Sequence, residues 1–308
     1  MKKKSFDLLK RIYIFIIKLL GAYYPRMWAE VRYFVAYRKR INLKNPSDFS
    51  EKLVWLRLNT YSNNDVIISL MDKVLVRDYV RSLGLEHILN DLFFVWEDPN
   101  QILWDSLPQA FVAKISQGCD AMIICPDKNN LDLDKAKKEV QRWKKGNLLY
   151  DLEIARIAGK KRKEIKKYYF VEKYLRGVNT VSPDDYKIYC FHGVPKAVLV
   201  VSDRFGADTR GGIFDINWNK LDDISGNFVD FENSIIPPKS WDDMLSAASQ
   251  LSKGFPFVRV DFYDYEGKAV FGEMTFFPSG CIKPVEANID GKSMGELIDL
   301  TSEVKTIV

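Results

Sequence analysis

The chain has 308 residues, enough for two or three packed units, with 47% hydrophobic and 28% charged residues. Its formal charge of +5 is uneven: residues 1–40 hold eleven Lys or Arg against only Asp7 and Glu30, so the rest of the chain is slightly acidic. That body has no recurring stripe of basic residues interleaved with aromatics, which argues against nucleic acid as a partner.

The basic end comes first. Residues 1–24 read MKKKSFDLLKRIYIFIIKLLGAYY. The apolar run at 12–17 is too short to span a bilayer, which takes about 20 residues. Gly21-Ala22 is followed by Tyr23-Tyr24, a poor fit to a signal-peptide cleavage site. Two readings stand: peripheral membrane contact of residues 1–24 on anionic lipid, or a core helix with a solvated lysine tail. The helical pattern continues through 28–40 and ends before Asn45-Pro46.

Asn45-Pro46-Ser47-Asp48 predicts a turn entering a helix, with Ser47 or Asp48 as cap and Glu51 as the capping-box acid. A second helical stretch is expected over 65–83, ending at Gly84. The periodicity then shortens. Strands are expected at 89–96 and at 110–116. The second should pair with 121–125 as a hairpin, followed by a charged helix over 132–145 and a strand over 168–175. Residues 185–205 read as two strands joined by His192-Gly193-Val194-Pro195. An amphipathic helix is expected over 240–253, then a β-hairpin over 257–277. Mixed helices and mostly antiparallel strands predict an α+β fold in two lobes.

The cysteines (Cys119, Cys125, Cys190 and Cys281) form no CxxC pair, and His87 and His192 are far apart. Zinc spacing and a Ser–His or Cys–His catalytic pair are therefore disfavoured. Reduced cysteines fit a cytoplasmic protein.

The last hairpin carries the chemistry. Alternation puts Arg259, Asp261 and Tyr263 on one face of its first strand, and Phe271, Glu273 and Thr275 on one face of its second. A three-residue loop, Tyr265-Glu266-Gly267, would set Arg259 opposite Glu273 and Asp261 opposite Phe271, leaving the two acids as diagonal neighbours. A two-residue loop would put them on opposite faces. Two carboxylates and an arginine on one face suit Mg²⁺ and phosphate. Read alone, they also suit a solvated face with cross-strand ion pairs.

Seven blocks in order resemble the TupA-like (teichuronopeptide biosynthesis) branch of the ATP-grasp superfamily: NPSDFSEKLVWLRL, MDKVLVRDYV, FVAKISQG, FVEKYL, DYKIYCFHGVPK, SDR and FVRVDFYDYEGKAVFGEMTFFPSG. The resemblance implies two α+β lobes gripping ATP, behind a helical N-terminal extension. It divides the chain into a basic segment (1–44), a helical lobe (45–108), a first ATP-grasp lobe (109–178) and a second (179–308). Lys73 and Lys114 resemble the phosphate-binding lysines. Glu172 resembles the acceptor of the adenine amino group, with backbone contacts from Lys173, Tyr174 and Leu175. Asp185 and Lys187 fall near the ribose or the phosphates. Arg259 resembles the phosphate-binding arginine, and Asp261 and Glu273 the Mg²⁺ ligands. Asp203 and Arg204 match a block without an assigned role.

Three positions depart from the family pattern. Thr275 stands where asparagine is usual, the glycine-rich loop is reduced to Ser116-Gln117-Gly118-Cys119, and the N-terminal lobe is short. The implied reaction is carboxylate–amine ligation through an acyl phosphate, with ATP and Mg²⁺ as cofactors. Its expected partners are an amino-acid donor and a saccharide or lipid-linked saccharide acceptor, at the inner face of the membrane. A glycosyltransferase, for which DLD at 132–134 would be the metal motif, and a non-catalytic module of the same fold are the alternatives.

Overall fold

The computed structural model describes residues 23–301, apart from 119–120, 147, 158, 161–163, 179, 205–208, 224–228 and 232–234. The basic segment 1–22 and Cys119 of the reduced glycine loop lie outside the described residues.

Helix α1 (Pro25–Tyr37) begins at a proline, whose missing N–H costs nothing in a first turn, and ends at Arg38 in the left-handed region. Helix α2 (Phe49–Leu58) opens on Asp48, which caps Glu51 N in a complete capping box. The stretch predicted as one helix over 65–83 is two: α3 (Asp65–Met71) and α4 (Val76–Ser82). Asp72 causes the break. Fully buried, it takes the N–H groups of Val74 and Leu75 on Oδ1 (2.9 and 3.0 Å) and the Ser116 hydroxyl on Oδ2 (2.6 Å). A carboxylate that binds nearby backbone donors competes with helix continuation. Lys73 consequently sits in a turn rather than on a solvated helix face.

Strands β1 (Leu92–Trp96), β2 (Phe111–Ile115), β3 (Met122–Cys125) and β4 (Tyr169–Lys173) form a four-stranded antiparallel sheet, ordered β1-β4-β2-β3. Helices α5 (Leu133–Lys145) and α6 (Leu148–Ile157) lie between β3 and β4 in the chain. Val140 and Trp143 of α5 pack with Phe111, Ala113, Tyr169 and Val171, so alternate residues of β2 and β4 face a local core.

The second sheet holds β5 (Asp185–Phe191), β6 (Val194–Ser202), β7 (Arg210–Asp215), β8 (Lys220–Leu221), β9 (Phe257–Tyr265) and β10 (Lys268–Thr275), ordered β10-β9-β5-β6-β7-β8. His192 and Gly193, both at positive φ, make the two-residue β5–β6 turn. Helix α7 (Trp241–Ser252) covers one face. Its Met244, Ala247, Ala248 and Leu251 are fully buried in the core cluster that includes Ile188, Cys190, Val260 and Phe262. The other face is left to the charged positions. Cys125, Cys190 and Cys281 are free thiols, and no helix among the described residues is long and apolar enough to cross a membrane.

Candidate active site

Pairing across β5, β9 and β10 sets the charged positions in rows. Asp185 lies beside Tyr263 and Tyr263 beside Val270. Lys187 lies beside Asp261 and Asp261 beside Glu273. Tyr189 lies beside Arg259 and Arg259 beside Thr275.

The hairpin reaches this register by a different route from the expected one. Its loop is two residues, Glu266-Gly267, both at positive φ, as the favoured hairpin turn requires. That loop alone would place Asp261 and Glu273 on opposite faces. A register shift between Phe271 and Glu273 inserts Gly272 and restores the face, making the two acids direct rather than diagonal neighbours. A Cβ at Gly272 would sit 3.0 Å from Asp261 O, tight enough to crowd that carbonyl, so the bulge favours a residue with no side chain.

Buried charge persists only when paired, and this face pairs each one. Arg259 grips Asp261 with Nε and Nη2 (2.7 and 2.8 Å), and its Nη2 also donates to Thr275 Oγ1 (3.3 Å). Lys187 Nζ lies 2.8 Å from Asp261 and 3.4 Å from Asp185, which also holds Arg204 at 3.0 Å. Glu273 takes the Thr275 hydroxyl (3.3 Å) and lies 3.2 Å from Lys73, which arrives from the α3–α4 turn. Desolvation pushes Glu273, whose side chain is still 37% exposed, towards protonation, but Lys73, Lys187 and Arg259 outweigh it and hold its pKa below the usual range. Burial also opposes charge on Arg259, and Asp261 with Glu273 reverses that, so the guanidinium stays charged. The Tyr263 hydroxyl is held well above its ordinary pKa by burial and by Asp185.

The facing wall comes from the four-stranded sheet. Ile124, Val112 and Glu172 make one row, and Met122, Lys114 and Phe170 the next. Lys114 and Glu172 are bonded to each other across the rows. The Lys173 carbonyl accepts from Asn90 Nδ2 (2.9 Å), and its N–H donates to Asp91 O (2.9 Å). Arg77, on α4, donates to Asn90 O (2.7 Å).

Between the walls lies a cleft of about 1280 Å³, mouth included, whose lining carries six basic side chains against four acidic ones. Lys73, Lys114, Glu172, Lys173, Tyr174, Leu175, Asp185, Lys187, Asp261 and Glu273 all line it. Arg259 and Thr275 stand behind the lining, bonded to Asp261 and Glu273. Sequence reasoning gave no role to Arg77, Asn90, Met122, Ile124, Phe170 or Arg204, which line the same cleft. Alternation around Glu172 and Lys114 signals the apolar ones; nothing local to Arg77 or Asn90 does. Among the described residues no three His, Cys, Asp or Glu side chains cluster as metal ligands. Asp261, Glu273 and Thr275 offer the hard oxygen donors that suit Mg²⁺, which completes its shell with phosphate and water.

Two α+β lobes closing over a cleft, with one apolar wall and one charged wall, define an ATP-grasp protein. Residues 51–299 match the family model described as TupA-like ATP-grasp, and the chain belongs to that family. No curated protein matches the sequence. Among solved structures, D-alanine–D-alanine ligase from Bacillus anthracis matches at 16% identity and a TM-score of 0.42, over 76% of this chain and 61% of that one. VanG D-Ala:D-Ser ligase from Enterococcus faecalis matches at 12% and 0.40, over 75% and 55%. The ATP-grasp ligase PsnB, complexed with a phosphomimetic variant of its minimal precursor, Mg and ADP, matches at 15% and 0.38, over 73% and 57%. The chain spans less than two thirds of the length of each of these proteins.

Proposed function

We propose that the chain is a Mg·ATP-dependent carboxylate–amine ligase. The observation that carries this is the row Lys187–Asp261–Glu273, joined by Lys73 from a separate segment and facing an apolar wall that holds one Lys–Glu pair.

The apolar wall receives the base between Val112, Met122, Ile124 and Phe170. Glu172, an acceptor only, takes the adenine amino group, and backbone at Lys173, Tyr174 and Leu175 meets the base edge. Asp185 lies on the sugar side. Lys73, Lys114 and Lys187 bind phosphate oxygens as compact charges, and Arg259, held on Asp261 behind the lining, adds a permanent positive charge without touching the nucleotide. Asp261 and Glu273, with Thr275, would hold Mg²⁺. When bound, that cation neutralises charge on the phosphates. The side chains therefore aim positive charge at the transferring phosphoryl oxygens.

A substrate carboxylate oxygen bonds to the γ-phosphorus as its bond to ADP breaks. An amine nitrogen then attacks the acyl carbon, loses a proton and expels phosphate. No protein nucleophile takes part. An amino acid joined to a uronic acid of a cell-surface polysaccharide is the proposed product class. It rests on the TupA-like resemblance together with a cleft rich in cations for acidic substrates. The glycosyltransferase alternative lacks its motif: Asp132 of DLD caps α5, and none of the three residues lines the cleft.

The test incubates the protein with Mg·ATP, uronic acids and amino acids, singly and together. A ligase releases ADP and phosphate in equal amounts only when both substrates are present. Release of nucleotide from a nucleotide sugar, with ATP inert, would sink the proposal.

A further inference from the structure

Helix α1 is apolar on two sides. Its inner side packs: Tyr33 is fully buried and bonded to Asp48, and Arg32 Nη1 donates to Gly280 O at 3.1 Å. Its outer side carries Tyr24, Met27, Val31, Phe34 and Val35, all between 40% and 59% exposed. Their spacing of three and four residues places them in one helical stripe. Six of the chain's exposed large hydrophobic residues fall within 23–35, so this is a patch rather than scatter.

Charge identifies the occupant. Arg38 and Arg40 stand exposed at the C-terminal end of the stripe, and residues 1–40 carry eleven basic side chains against two acidic ones. Two copies meeting on this stripe would bring strongly positive segments together. An anionic bilayer instead offers negative headgroups to the basic residues and an acyl boundary to the apolar ones. Tyr23 and Tyr24, 69% and 59% exposed, are the kind of side chain that settles at headgroup level.

We propose that the outer stripe of α1 lies in the surface of an anionic membrane, with its basic flanks on the headgroups. The contact thus belongs to the folded domain itself, beyond the 1–24 segment that the sequence points to. It is independent of the ligase reading, because no residue of the stripe lines the cleft.

The test is co-sedimentation of the full chain with phosphatidylcholine vesicles, alone and mixed with phosphatidylglycerol. The chain should pellet with the mixed vesicles only, and less so as salt rises. The triple variant Met27→Ser, Val31→Ser, Phe34→Ser should bind more than about tenfold more weakly, with an unchanged melting temperature. Val35→Glu, a single change at a 57% exposed position, should weaken binding without touching the fold. Failure to pellet with anionic vesicles overturns the proposal. So does unchanged binding by folded Val35→Glu protein. A lipid-free dimer that the triple variant dissolves would assign the stripe to a second copy and overturn it too.

Discussion

On the four-stranded sheet, the cleft face shows four apolar side chains and one Lys114–Glu172 pair. On the six-stranded sheet, the cleft face is a lattice of charge. Asp185, Lys187 and Asp261 are each less than a tenth exposed, and each is held by at least one opposite charge. The first wall draws its stability from ordinary packing. The second keeps desolvated charges in place by cross-strand pairing, so its electrostatics are set before any ligand arrives. Residues on the two walls should therefore fail in different ways when changed: stability and chemistry together on one, nucleotide affinity on the other.

The largest expected effect is on turnover. Glu273→Gln keeps the shape but removes a charge that faces Lys73 and Arg259. It should lower ATP-dependent phosphate release by more than about a hundredfold while the protein stays folded. Wild-type rates would remove Glu273 from the metal site.

Next is stability. Asp261→Ala leaves Arg259 and Lys187 buried without their main counter-charge. Breaking a buried pair this way costs about 3–5 kcal/mol, to be read from urea unfolding. Glu172→Gln on the other wall keeps a hydrogen-bonding side chain beside Lys114, so it should cost less than Asp261→Ala and raise the KM for ATP instead. Equal losses from the two changes would erase the contrast between the walls.

A smaller effect concerns acid. The Glu273 pKa is lowered in the folded state. Its stabilisation is therefore complete above the ordinary glutamate value, about 4.3, and is lost as pH falls through the folded value. Urea midpoints measured on acidification should fall less steeply for Glu273→Gln than for wild type. Identical slopes would mean that the lysines and Arg259 do not hold this carboxylate ionised.

Much of the architecture was legible. Period-two alternation gave the 185–205 and 257–277 hairpins, and Asp48 with Glu51 announced the start of α2. The features that aim the site were harder to read, because they depend on distant partners. The helix break at Asp72 is fixed by Ser116, 44 residues away, so local periodicity ran through it. The bulge at Gly272 depends on close approach to the Asp261 carbonyl on the neighbouring strand. Loop length alone gave the wrong register, and the shared face held only because two differences cancelled. Arg77 and Asn90 reach the cleft through bonds made after folding, with no pattern of their own in the sequence.

The most direct measurement is calorimetric titration of ATP into the protein with and without Mg²⁺, for wild type and for Glu273→Gln. Wild type should bind one nucleotide, more tightly with Mg²⁺, and most of that Mg²⁺-dependent gain should vanish in the variant. Absence of ATP binding, or a Mg²⁺ effect of the same size in both proteins, would contradict a nucleotide site built on the paired acids of the hairpin.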